Sequence, residues 1–445
     1  MWKPGGLWRV GWLRLPAILI LVSPIALQGQ VGDADVRTAT GRILPKLIEM
    51  RHDLHRHPEL GNRETRTAAT LARELQRLGL EVRTGVAKTG VVAVLRGGRP
   101  GRVVGVRADM DALPVTEQTE LPFKSVATTT YLGRKTGVSH ACGHDIHVTV
   151  ALGVAHVLSG FRNRLEGTVV FLFQPAEEGP PPGEQGGAKL MIAEGVLRDP
   201  KPEVMLALHA NGDPPEAEGD WERVGKLSYS LGPQYAASMR WRARVIGRQA
   251  HGATPHLGVD AVVTASQVVS ALQTIRSRTL SPFEPAVVTV GVFQAGDRNN
   301  IIAGEARLEG TVRTFNDSTT LLIQRRMREI LAGVTAAAGA RFELVFDDSN
   351  PVTVNDTALA RRFHPVLERV AGAENVGIVP PKTAAEDFSF FAREVPGFYF
   401  QLGAVRQGNI SGGHHTPTFR ADDEAIPVGV LAMTGVVLEA LEAGS

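Results

Sequence analysis

An α/β fold is predicted for this chain: a mixed, largely parallel sheet flanked by helices, with an inserted α+β domain. Three observations predict it. Short apolar runs alternate with helix-period segments through the first half. Side chains able to bind a metal recur just after those runs. Residues 236–348 then switch to an alternating, strand-rich pattern that holds few such side chains. A length of 445 residues also exceeds what one core usually organises, so two domains are expected.

The N-terminus is read separately from the fold. Lys3, Arg9 and Arg14 precede an apolar run from Leu15 to Leu27, followed by Gln28-Gly29-Gln30 and the acids Asp33 and Asp35. A basic start, a short apolar stretch and a polar exit predict a secretory leader over 1–29 and an exported protein. The run is shorter than the ~20 residues of a spanning helix, and Pro16 and Pro24 interrupt it. An uncleaved membrane anchor is the alternative. Hydrophobic residues at 43% and charged residues at 21% suit a globular chain. A net charge of +2, with no basic block, gives no reason to expect a nucleic-acid partner. Cys142 is the sole cysteine and cannot form an internal disulfide, so in an oxidising compartment it must be buried or bound.

From about Arg42 to Gln76 the apolar spacing is helical, broken at Pro58-Glu59-Leu60-Gly61 into two helices. Val91 to Leu95, Val103 to Val106, Thr168 to Phe173 and Val204 to Leu208 read as buried parallel strands. Val148 to Leu158 and Ala188 to Glu194 read as helices between them. In the insert, Met239 to Val245, Val287 to Phe293, Ala306 to Arg313 and Phe342 to Phe346 read as strands. Asp260 to Ser277 and Leu321 to Ala337 read as helices. The strand–helix–strand–strand–helix–strand order is that of a split βαβ, ferredoxin-like unit.

The chemistry lies at the strand ends. Asp109 and Asp111 follow one run, Glu177 and Glu178 the next, and His209 the last. Ligands of open α/β sheets bind outside the carboxyl ends of the strands. Cys142 and His144 stand two apart in Ser139 to His147, and His414 and His415 sit in a glycine-rich loop. A set of thiolate, imidazole and carboxylate suits zinc or a similar borderline metal. In an adjacent Glu-Glu pair, one carboxylate can coordinate while its neighbour takes a proton from water. His140 and His147 read as groups that orient ligands, and His414 competes with His415.

At seven ordered blocks the chain closely resembles the amidohydrolase branch of the M20 metallopeptidase family, which includes hydrolases of indole-acetyl amino acids, hippurate and other N-acyl amino acids. The blocks are His52 to Leu60, Arg107 to Pro114, His140 to His147, Phe173 to Glu178, His251-Gly252-Ala253-Thr254-Pro255-His256, Ala385 to Ser389, and His415-Thr416-Pro417. The resemblance runs from about Ile43 to Leu441. It implies two divalent metal ions (zinc, manganese, nickel or cobalt) held by Cys142, His144, Glu178, His209 and His415, with Cys142 as a candidate bridge. It implies Glu177 as catalytic base acting on a metal-activated water, Asp111 in support, and His251 as a stabiliser of the oxyanion. Arg313 and Asn300 become candidates for holding the substrate carboxylate; lid structure is an equally good reading of both.

The implied organisation is a discontinuous catalytic domain, 36–235 and 349–445, with a lid or dimerisation domain at 236–348, a homodimer through that lid, and a small N-acyl amino acid as substrate. A dipeptidase or carboxypeptidase using the same site is the near alternative, and an inactive binding protein the distant one. Two departures stand out. Asn300-Ile301-Ile302-Ala303 replaces the Asn-Val-Ile-Pro run frequent in the family, and the Gly179–Gly187 stretch is longer and richer in proline. It is expected to shape the pocket rim.

Overall fold

The computed structural model describes residues 1–3, 5–6, 31–214, 220–347 and 350–442. Most of the expected leader, 7–29, lies outside the described residues. No helix among them is long and apolar enough to cross a membrane.

An eight-stranded mixed sheet forms the body. Its three adjacent central strands, Glu166–Gln174, Arg99–Asp109 and Val204–Asn211, run parallel, and Gly397–Gly403 continues the parallel set beyond Val204–Asn211. These strands are apolar along their length because helices cover both faces. Helix His144–Gly160 is buried on nearly every side, packed between helices Asp33–Arg56 and Ala425–Leu441 through residues such as Leu47, Leu54, Val150, Val154 and Val430. A second cluster, including Met191, Met205, Phe388, Phe391 and Tyr399, fills the opposite face.

One strand corrects the expectation of parallel pairing. Gly90–Arg96 lies antiparallel to Glu166–Gln174 and pairs antiparallel with Glu81–Val86 on its other side. An apolar run carries no direction; the tight Val86–Gly90 turn accounts for the antiparallel pairing with Glu81–Val86 alone.

Ala237–Phe346 builds a separate four-stranded antiparallel sheet, ordered Ala286–Ala295, Glu305–Thr314, Ala237–Ile246, Arg341–Phe346. Helices Ala261–Thr274 and Asp317–Ala338 cover one face, with Trp241, Leu272, Leu308, Met327 and Leu331 in the core between. Asp260 caps the first helix, accepting from the Val262 and Val263 amides at 2.9 and 3.1 Å. Such a cap stabilises by about 1 kcal/mol.

Candidate active site and metal centre

The parallel alignment of the central strands brings Asp109, the Glu177–Glu178 turn and His209 to one sheet edge. The Gly412–Thr416 loop and the start of helix His144–Gly160 complete the site. Among the described residues, four ligand sets have all their donor atoms within 4.8 Å of one another, and two of them share the thiol: Cys142 with His144 and Glu178, and Cys142 with His209 and His414. Cys142 belongs to both sets, as a bridging ligand must.

Asp111 organises the glutamate turn. Its Oδ1 and Oδ2 accept the amide protons of Glu177 and Glu178, each at 3.0 Å. Its backbone carbonyl accepts from His144 Nδ1 at 2.8 Å. Glu64, fully buried, accepts from the Ala176 amide at 2.9 Å and from Thr89 at 2.5 Å. Ala176 itself has φ 52°, a left-handed conformation costly for a residue with a Cβ. These bonds hold that turn so that its two carboxylates diverge. Glu178 joins Cys142 and His144, while Glu177 joins Glu386 and Asp387.

The hydrogen-bond network assigns the imidazole tautomers. His144 donates through Nδ1, and its buried Nε2 has no hydrogen-bond partner. His209 donates through Nδ1 to the Ala210 carbonyl at 3.0 Å, leaving Nε2 3.6 Å from Cys142 Sγ. Both turn Nε2 to the thiol side, as metal ligands do. His147 is committed at both nitrogens, to Asp109 Oδ1 at 2.5 Å and to the Ala210 amide at 2.7 Å. Neither of its ring nitrogens is left free.

His414 and His415 are placed differently from expectation. His414, not His415, faces Cys142, with Nδ1 3.6 Å from Sγ. Its Nε2 accepts the Gly212 amide proton at 3.1 Å, however, so Nδ1 carries hydrogen toward the sulfur. His415, at φ 62°, turns the other way and lies 2.9 Å from Glu178 Oε1. His414 thus turns an N–H toward the sulfur, while His415 Nε2 faces the Glu178 carboxylate, which favours its protonated form until a cation replaces the proton.

The electrostatics fit a cation. Burial, then the Glu178 and Glu177 carboxylates, push the Cys142 thiol well above its ordinary pKa, so a thiolate here needs positive charge beside it. Burial opposes charge on His144, yet Asp109 and Asp111 lift it to about 10. Burial and the nearby His147 and His414 hold His209 neutral. His144 Nε2 is buried without a hydrogen-bond partner, and the Glu178 carboxylate, whose Oε1 lies 2.9 Å from His415 Nε2, sits beside it; with Cys142 they form a donor set that a divalent metal satisfies.

Around this centre lies a buried network that joins Asp109 to residues far away in the sequence. Arg107 contacts Asp109, Glu386 at 2.9 Å and Asp387 at 2.8 Å. Gln174 Nε2 donates to Asp387, and Tyr399 donates to Glu386. The blocks Arg107 to Pro114 and Ala385 to Ser389 held these residues; their mutual pairing was the missing information. The lid candidates stand apart. His251 and Asn300 are brought together at a small two-stranded antiparallel sheet, where the Gly252 amide donates to the Asn300 carbonyl at 2.8 Å. Both are exposed. Arg313 is half-buried in the lid sheet, and its guanidinium donates to the Val312 carbonyl. None of the three bonds to the Cys142 cluster.

The profile of Peptidase family M20/M25/M40 matches residues 105–439. The chain belongs to that family. Its relatives include an N-acetyldiaminopimelate deacetylase from Exiguobacterium sibiricum, 35% identical over 85% of this chain and 95% of the relative. Thermostable carboxypeptidase 1 of Saccharolobus solfataricus is 34% identical over 87% and 93%. A crystal structure of a dinuclear metal-binding M20 peptidase from Bacillus subtilis superimposes with a TM-score of 0.74, at 30% identity, over 90% of this chain and 99% of that one. The M20 chain described here is therefore a metal-dependent hydrolase of amide or peptide bonds.

Proposed function

We propose that the enzyme hydrolyses N-acyl amino acids, with Glu177 as general base. The observation that carries this reading is the divergence of the Glu177–Glu178 pair, one carboxylate among the ligands and the other clear of them. Cys142, His144, Glu178, His209 and His415 would hold two divalent ions. Bound there, such ions acidify a water and polarise an amide carbonyl. Zinc, manganese, nickel and cobalt all suit these donors.

The chain's own groups do the remaining work. Burial, with Glu386, Glu178 and Asp387 nearby, raises the proton affinity of Glu177 well above the usual carboxylate range. Positive charge at the Cys142 cluster brings it back toward neutrality, where a carboxylate both takes and gives a proton. Glu177 takes the proton of the attacking water. It returns that proton to the amine nitrogen as the carbon–nitrogen bond breaks. Asp111 and the Asp387 amide, 3.3 Å from Glu177 Oε1, fix the position from which it acts.

Glu177→Gln is expected to lower kcat by at least about a hundredfold while elemental analysis shows unchanged metal content; Cys142→Ala should lose metal. Retained turnover in Glu177→Gln would sink the base assignment. Cleavage of dipeptides faster than matched N-acyl amino acids would favour the carboxypeptidase reading that the Saccharolobus relative suggests. The proposal includes export and pairing of two copies through the lid, where Leu257, Val263, Val287, Phe293 and Ile301 are exposed. A monomer in sedimentation would remove the pairing.

A further inference from the structure

A cavity of about 510 Å³ opens beside Glu177, walled by Glu177 and Asp387 but by none of the imidazoles facing Cys142. Pro180, Leu190, Ala193 and Phe390 supply its apolar surface. Its outer wall is the proline-rich Gly179–Gly187 segment, and that wall is built rather than loose. Glu184 at its centre receives Arg63 Nη2 at 2.6 Å, Lys88 Nζ at 2.5 Å and Asn62 Nδ2 at 3.0 Å. Asn62 Nδ2 also donates to the Gln185 carbonyl at 2.9 Å. A single exposed ion pair holds little, but three donors converging on one carboxylate define a geometry. The far end is locked by close approach. A Cβ on Gly186 would lie 2.8 Å from Asn62 Oδ1, and one on Gly187, at φ +66°, would lie 2.6 Å from Asp387 Oδ2.

The charged groups on the wall are already engaged. Glu184 has Arg63 and Lys88, Asp387 has Arg107 and the Ala188 amide, and the Lys189 ammonium stands 5.5 Å over the Phe390 ring. A carboxylate entering the cavity would find no uncommitted positive charge and would lose its water, and the Glu177 carboxylate on the wall is reserved as the base of the reaction. An uncharged apolar group would find matching surface.

We propose that this cavity is the acyl subsite, that it takes a bulky apolar acyl group (aryl or medium-length alkyl), and that Glu184 is the positioning residue that holds its wall. The proposal rests on the reading of the enzyme as an N-acyl amino acid hydrolase. The amino-acid half of the substrate, with its α-carboxylate, lies outside this cavity.

The test compares kcat/KM for N-acetyl, N-hexanoyl and N-phenylacetyl derivatives of one amino acid, and for its glycyl dipeptide, on the metal-loaded enzyme. The wild type should prefer the bulky acyl groups by at least about tenfold. Leu190→Trp, which fills the cavity, should erase that preference mainly through KM. Glu184→Ala should erode it likewise, with Glu184→Gln restoring part of it, because an amide oxygen still accepts from Arg63 and Lys88. A wild-type preference for acetyl or for the dipeptide, or equal losses on all acyl groups in Leu190→Trp, would overturn the subsite while leaving amide hydrolysis intact. Absence of cleavage of every N-acyl amino acid would overturn the underlying reading as well.

Discussion

The body and the lid handle charge in opposite ways. In the body, Arg51, Arg107, Asp109, Asp111, Asp145 and Glu386 are each no more than 2% exposed, and each is held by charged partners or backbone amides. In the lid, Arg242, Arg244 and Arg307 pair with Asp347, Glu305, Glu343 and Glu309 on the outer face of a sheet, where the arginines are about half exposed. Burying an ion costs several kcal/mol even when it is well paired. A chain accepts that cost where a side chain must be held in one place. The body's charges therefore trace the scaffold of the catalytic centre, and the lid's charges mainly keep a surface wet.

The strongest way to break this contrast is Arg107→Leu. The substitution strands Asp109, Glu386 and Asp387 in a dry interior. A loss of roughly 3–5 kcal/mol in urea unfolding is expected, together with loss of activity, because Asp387 neighbours Glu177. A loss below about 1 kcal/mol, the range of a surface ion pair, would mean that burial does not separate the two regions.

This network also marks where the sequence stops being legible. Arg107 and its partners Glu386 and Asp387 are separated by 279 and 280 positions, so no local pattern links them. Cys142 and His144 were legible because their spacing is short, and the strands ending at Asp109 and His209 because both faces of each are covered. The direction of Gly90–Arg96 was not legible, since apolarity has no polarity of direction. Leu227–Tyr229 and Val376–Ile378 are only three residues each and too short to show a period. Gly397–Gly403 is fully buried, and a short apolar run of that kind has no period that separates a strand from a helix segment. Adjacent His414 and His415 differ only in backbone conformation, which the sequence Gly-Gly-His-His does not reveal.

A smaller effect sharpens the contrast through pH. His55 is buried between Asp145, 2.9 Å from Nδ1, and Glu117, 3.2 Å from Nε2. Burial works against a charged ring, yet the two carboxylates raise its pKa from 6.5 to about 9. A raised folded-state pKa stabilises fully below pH 6.5 and loses that stabilisation as pH climbs through 9. The wild-type advantage over His55→Gln should therefore shrink between those values, by an amount on the order of 3 kcal/mol. An advantage independent of pH would show that the ring is neutral in the fold and that Arg51 alone balances Asp145.

The smallest expected effect belongs to the lid. Arg244 bridges Glu305 at 2.6 Å and Glu343 at 2.7 Å across three neighbouring strands, both shorter than the bonds of Arg107 to Glu386 and Asp387. Distance alone would rank it beside Arg107. Its side chain is 47% exposed, however, so water screens the attraction and replaces it when the guanidinium is removed. Arg244→Ala should leave Tm unchanged within error at 0.15 M salt and leave kcat/KM unaltered, since no bond connects it to the Cys142 centre. A Tm loss approaching that of Arg107→Leu would show that proximity of charges, rather than their removal from water, governs stability in this protein.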